Sequence, residues 1–151
     1  MKDKIYKFLE DWIVTFLKNK DIITRSIEKI DIKDNLIITH KTKKQVVFIR
    51  PFLETNEIID KINKTEDFVS IVTYNTKENF DFMMNNWKEL SKNPKLNIYF
   101  INPFSKLERK WIVFPHTHNS ISDKESLKPG LLSLFNTVEV LTEEEIKKIL
   151  N

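Results

Sequence analysis

Three apolar runs set the limits on how this chain folds. QVVFIR (45–50), FVSIVTY (68–74) and LNIYFI (96–101) are dense in β-branched and aromatic residues, as strands buried on both faces are. Between them, Leu53, Ile58, Ile59 and Ile62, and then Phe80, Met83, Met84 and Trp87, recur at helical spacing. Strand–helix–strand units place their strands parallel in one sheet, joined by right-handed crossovers.

The flanks extend that sheet. Ile5, Phe8, Leu9, Trp12, Ile13, Phe16 and Leu17 form one apolar stripe of a first helix, with Lys7, Glu10, Asp11 and Lys18 on its other side. SIEKIDI (26–32) and NLIITHK (35–41), parted by Lys33-Asp34, read as a hairpin. KWIVF (110–114) reads as a sixth strand, antiparallel to the fifth across the NPFSKLER loop. Ser122 through Glu125 reads as a capping box opening a helix that Pro129-Gly130 bends or interrupts, and Thr142 caps a last helix. The expected architecture is a single α/β domain over 1–151. It has three layers and a mixed sheet of about six strands, in the order αβββαβαββα. VVFIRPF and IYFINPF end two strands alike, and VFP ends the sixth in the same way. Proline lacks the amide hydrogen a ladder needs, so the echo is punctuation and not duplication.

Composition narrows the chemistry. The chain has 151 residues, 40% of them hydrophobic and 11% aromatic, enough for a compact core. No run of apolar residues is long enough to span a membrane, and no signal-peptide pattern opens the chain. Cysteine is absent, which excludes disulfides and thiolate chemistry. With one glycine, at 130, neither a GxxxxGK[ST] nor a GxGxxG phosphate loop exists, and GxSxG is missing too. A balance of 25 basic against 22 acidic residues, net +3, is not the footprint of a strong nucleic-acid binder, but leaves local basic patches open. The expected compartment is the cytoplasm.

The topology sorts polar residues between two sheet edges. Arg50, Asn75 and Asn102 end parallel strands, and the hairpin brings Asp34 and Asn35 to the same edge, where open α/β sheets bind ligands. Arg50 beside Asp34 is expected to form a strand-end ion pair. His40, Lys41, Lys43 and Lys44 belong to the opposite edge, with His116 and His118. His116 and His118, with Asp123 or Glu125, are one candidate divalent-metal site. The structural alternative packs His116 against the strand end and leaves His118 in a solvated loop. Trp12 and Trp87 fall on core faces.

Residues 1–102, with FVSIVTYNTKENFDFMMNNW as fourth strand and following helix, resemble the core of the restriction-endonuclease-like superfamily, the PD-(D/E)xK nucleases. The resemblance is one of pattern. It implies an acidic residue near the second strand and an acidic-x-Lys motif on the third, holding magnesium. Here the third strand reads Val46-Val47-Phe48-Ile49-Arg50, with Phe48 at the acidic position and Arg50 at the lysine. Asp34 matches the first acid, and Glu54 lies beyond the strand. The resemblance therefore implies a nuclease-like scaffold without the usual catalytic set.

The leading expectation is a non-catalytic nuclease-like domain with no cofactor, in nucleic-acid binding or protein assembly. DNA or RNA would meet Lys41, Lys43, Lys44 and Arg50. One alternative is a metal-dependent nuclease or hydrolase, with magnesium or another divalent ion on Asp34 and Glu54 or on His116, His118 and Asp123. The other is a protein-interaction module or homo-oligomer anchored by exposed Phe52 and Phe104. No membrane partner is expected.

Overall fold

The computed structural model describes residues 3–151. Helix α1 (Lys4–Thr24) precedes strands β1 (Ile27–Ile32), β2 (Leu36–His40) and β3 (Lys44–Ile49). Next come α2 (Glu57–Asn63), β4 (Phe68–Tyr74), α3 (Lys77–Asn85), a single turn α4 (Trp87–Leu90), β5 (Leu96–Ile101) and β6 (Lys110–Val113). Helices α5 (Pro115–Ile121), α6 (Lys124–Phe135) and α7 (Glu143–Leu150) complete the chain.

The strands form one sheet in the order β1-β2-β3-β4-β5-β6. β3, β4 and β5 are parallel, while β1–β2, β2–β3 and β5–β6 are antiparallel pairs. The sheet thus has an amino edge, where β3, β4 and β5 begin, and a carboxyl edge, where they end.

Side chains alternate across the sheet and feed two cores. Val47, Ile49, Val72, Tyr74, Tyr99 and Ile101 pack under Leu9, Ile13 and Leu17 of α1 and Ile146 of α7. Phe48, Ile71, Ile98, Phe100 and Trp111 pack under α2, α3 and α6 through Ile59, Phe80, Met83, Leu131 and Phe135. The result is a three-layer α/β domain with a six-stranded mixed sheet. Helix α1 runs from the carboxyl edge, where the Tyr74 hydroxyl donates to the Ile5 carbonyl at 2.8 Å, to the amino edge. Burial pushes the Tyr74 phenol pKa well up, with a smaller push from the Asp3 charge.

Four local expectations are corrected. Glu10 does not sit on the outer face of α1: it is buried, within 3.0 Å of Lys7 Nζ. The residues after β6 are not a strand end and loop but a helix. Pro115 opens α5 at its first position, where its missing amide hydrogen costs nothing. The cap of α6 is Asp123 and not Ser122; its carboxylate accepts the Ser126 amide at 2.8 Å. Helix α6 also runs through Pro129-Gly130 without ending. Thr142 does cap α7, in a reciprocal box with Glu145.

Candidate binding site at the amino edge

The carboxyl edge, where doubly wound sheets usually bind ligands, is closed by the chain itself. Leu141 bridges Thr76 in parallel beside the end of β4, and its amide donates to the Asn75 carbonyl at 2.9 Å. Asn75 is fully buried. Its Nδ2 donates to the Phe135, Val138 and Glu139 carbonyls at 3.0–3.4 Å, and its Oδ1 accepts the Trp111 indole at 2.8 Å. Asn102 Nδ2 reaches the same Glu139 carbonyl at 2.9 Å. These strand-end asparagines are fasteners for segment 135–141. Trp111 is therefore a core residue, stacked on Phe100 at 4.5 Å.

Beside this closure, Asp3, Asp34 and Glu54 line a cleft of about 440 Å³ with Tyr6 and Phe52. Arg50 does not pair with Asp34. Its Nη1 donates to the Ile49 carbonyl at 3.0 Å, its guanidinium lies 5.6 Å from the Phe48 ring, and its charge helps lower the Glu57 pKa behind the larger effect of Lys61. Phe52 and Phe104 are not exposed anchors: both are half-buried against the α1 core, Phe104 stacked on Phe8 at 5.3 Å.

The histidines do reach the amino edge, but separately. His116 and His118 lie two residues apart on α5, so they point to different sides of a helix. His116 Nδ1 is 3.0 Å from the Ser91 carbonyl, and His118 Nδ1 accepts the Phe114 amide at 3.1 Å. Asp123 is spent on its cap. Among the described residues, no group of three or more His, Asp or Glu side chains is placed to share a metal ion.

What the amino edge does hold is two polar rows on the face toward α1. The inner row crosses four adjacent strands: His40 of β2, Gln45 of β3, Ser70 of β4 and Asn97 of β5. It is one hydrogen-bonded chain. His40 Nε2 lies 3.0 Å from Gln45 Oε1, Gln45 Nε2 donates to Ser70 Oγ at 2.8 Å, and Ser70 donates to Asn97 Oδ1. His40 Nδ1 continues it to Ser26 Oγ at 3.1 Å, which donates to Asp21 at 2.8 Å.

In the outer row, Phe68, two residues before Ser70 on β4 and opposite Gln45, shares that face, and Lys43 and Lys95, just ahead of β3 and β5, flank it. Phe68 is 39% exposed, and the Lys43 and Lys95 ammoniums lie 4.4 and 5.5 Å from its ring centroid. Together with Lys20, Tyr99 and Phe114 the two rows line a cavity of about 380 Å³ below the end of α1.

Asp21 is the acid on this lining, and its oxygens are occupied. They accept from the Thr24 and Ser26 hydroxyls and the Ser26 and Ile27 amides at 2.8–3.0 Å. Burial favours the protonated acid, but those donors outweigh it and hold the Asp21 pKa down to about 2.

Compared with known proteins, the chain matches no protein family, no curated sequence and no solved structure.

Of the four nominated nucleic-acid contacts, Lys41, Lys43 and Lys44 share the exposed β2–β3 turn, while the sheet carries Arg50 to the opposite edge. Lys20, Phe68, Lys95 and the inner row were not foreseen. Their signal is in the sequence: Gln45, Ser70 and Asn97 each put one polar side chain at the start of an apolar run, on the same phase as Val47, Val72 and Tyr99. The register sets Ser70 opposite Asn97 and Gln45 opposite Phe68.

Proposed function

We propose that the chain is a non-catalytic, nuclease-like α/β domain that binds nucleic acid at the amino edge of its sheet. The observation that carries this reading is the Phe68 ring between the Lys43 and Lys95 ammoniums. A half-exposed aromatic flanked by cations suits a nucleobase on the ring and phosphates on the lysines. Lys41 and Lys44 extend the positive charge along the neighbouring turn. The acids of the adjoining loop, Glu66 and Asp67, oppose it in part, consistent with modest affinity.

The nuclease-like scaffold is supported by the element order. A helix, three antiparallel strands, a helix and a strand parallel to the third follow the resemblance through β4. The absence of catalysis is supported by position 48, a phenylalanine 3% exposed where the resemblance implies a metal-binding acid. The competing reading, a metal-assisted nuclease, draws on Asp34 and Glu54 lining one cleft.

One experiment separates them. Labelled single- and double-stranded DNA and RNA are titrated at low and moderate salt, with and without magnesium and manganese. Salt-sensitive binding without cleavage, weakened by Lys43→Ala and Lys95→Ala, is expected. Metal-dependent cleavage lost in Asp34→Ala would overturn the non-catalytic reading, and no binding at low salt would overturn the nucleic-acid reading.

A further inference from the structure

The cavity behind Phe68 is more selective than a phosphate-binding edge requires. Its chemistry changes with depth. At the mouth stand the ammoniums of Lys20, Lys43 and Lys95. Lys95 Nζ donates to the Glu66 carbonyl at 2.9 Å, which orients its charge without neutralising it. Asp21, on the same wall, is committed to four donors of its own loop. An anion at the mouth thus meets three cations and no uncommitted carboxylate of the cavity lining, with Glu66 and Asp67 in the adjoining loop.

Further in, the apolar lining is Leu17, Ile27 and Tyr99, with the exposed Phe114 at the rim; Val69 and Leu96 border the cavity but bury their side chains in the opposite core. At the floor lie the amides of Gln45 and Asn97 and the Ser70 hydroxyl, Ser70 being buried. The Gln45 and Asn97 amides are half-buried and bonded to His40 and Ser70, so a ligand edge that offers both donors and acceptors is needed to exchange with those bonds. Ser70 and its register partner Asn97 lie roughly 7 Å inward of Phe68, two residues along β4, while Gln45 stands directly opposite Phe68. A volume of about 380 Å³ lies in the range of small-molecule sites.

We infer that this cavity is a subsite for one nucleotide, its base edge on the Gln45–Ser70–Asn97 floor, its ring among the aromatic walls and its phosphate at the Lys20, Lys43 and Lys95 mouth. Three features are needed at once: a flat ring, hydrogen-bonding groups at one end, and an anion about a nucleoside's length away. Inorganic phosphate uses only the mouth, and an apolar acid leaves the floor unmatched. The inference rests on the nucleic-acid reading of this edge and deepens it. The bound unit is either a free mononucleotide or the terminal residue of a single strand, since a closed circle has no terminal nucleotide to enter.

The test is an amide NMR titration of the wild-type protein. The probes are AMP, GMP, UMP and CMP, then inorganic phosphate, a linear 5′-phosphorylated single strand and a circular single strand. At least one mononucleotide is expected to shift the Gln45, Ser70, Lys95 and Asn97 amides saturably. Phosphate should compete at least about tenfold more weakly, the loss of one or two hydrogen bonds and the ring contact. Displacement of the mononucleotide by the linear strand but not the circle assigns the site to strand ends; displacement by neither assigns it to free nucleotides. Asn97→Leu should weaken mononucleotide binding about tenfold while circular-strand binding at the Phe68 edge persists.

Saturable shifts by phosphate equal to those by the mononucleotides would overturn the subsite, because the nucleoside would then contribute nothing. Linear and circular strands that bind equally, with no mononucleotide shift, would overturn the subsite and leave the edge reading standing. No shift with any probe defeats both. The wild-type titration decides even where Asn97→Leu fails to fold.

Discussion

The Trp111 indole donates to Asn75 Oδ1 at 2.8 Å, with Asn75 fully buried and Trp111 nearly so. That bond joins β6 to the end of β4, while the same asparagine's Nδ2 holds three carbonyls of segment 135–139. Asn75→Ala leaves the indole and the Phe135 and Val138 carbonyls without this partner, while the Glu139 carbonyl keeps Asn102 Nδ2. At about 1–3 kcal/mol per orphaned buried group, a loss of about 3 kcal/mol or more is expected in urea unfolding followed by tryptophan fluorescence. A loss below about 1 kcal/mol would mean that water replaces the amide and that the edge is open.

The basic edge carries a prediction in salt. Lys43→Ala and Lys95→Ala should each flatten the slope of log affinity against log salt by about 1, the signature of one lost phosphate contact. Phe68→Ala should leave that slope unchanged and cost about 1–3 kcal/mol for single strands, with little effect on duplexes, whose bases are already stacked. Arg50→Ala, at the opposite edge, should change neither. Binding isotherms at four or five salt concentrations check all four variants.

Asp21 ties the end of α1 to the start of β1, and its folded pKa of about 2 lies below its ordinary 3.8. The stability it contributes is therefore present above about pH 4 and is lost as pH falls towards 2. Wild-type thermal midpoints should fall across that window, and Asp21→Asn should lower stability at neutral pH while flattening the acid fall. An Asp21→Asn curve parallel to the wild type would contradict the hydrogen-bonded loop.

The chain's one glycine sits where its freedom is unused, and the left-handed position is occupied by another residue. Gly130 lies inside α6 with open space where a Cβ would stand. Gly130→Ala should stabilise by about 0.5–1 kcal/mol. Arg25 closes α1 at φ 49°, ψ 41°, its amide donating to the Asp21 carbonyl. Arg25→Gly should stabilise by about 0.5 kcal/mol by relieving its Cβ strain. Differential scanning calorimetry reads both as higher midpoints.

At the far end of the chain, Thr142 and Glu145 exchange two hydrogen bonds at the start of α7, whose Ile146 is buried against α1. Thr142→Ala should cost about 1 kcal/mol and speed amide exchange in α7 before the rest of the molecule.

The sequence by itself determined the six strands, their directions, the helices between the parallel ones and the Leu9, Ile13 and Leu17 line that α1 buries, though not the burial of Glu10 beside it. Each follows from local periodicity: the β-branched run at 68–74 is strand whatever surrounds it, and Leu9, Ile13 and Leu17 line one face of any helix. It also placed Lys41, Lys43 and Lys44 together, because they share one turn. The element after β6 was decided locally too, but by a signal open to two readings: Pro115 ends a ladder and equally begins a helix, and only the helix turns His116 away from His118. The two polar rows needed tertiary structure. Gln45, Ser70 and Asn97 are far apart in sequence, and a one-residue slip of any strand would send its member to the opposite face. The same holds for Asn75, which reads as a strand-end ligand and becomes a fastener only once segment 135–141 lies across it. Periodicity assigns a residue to a face; register and crossovers decide its neighbours there, and the candidate site is made of those neighbours.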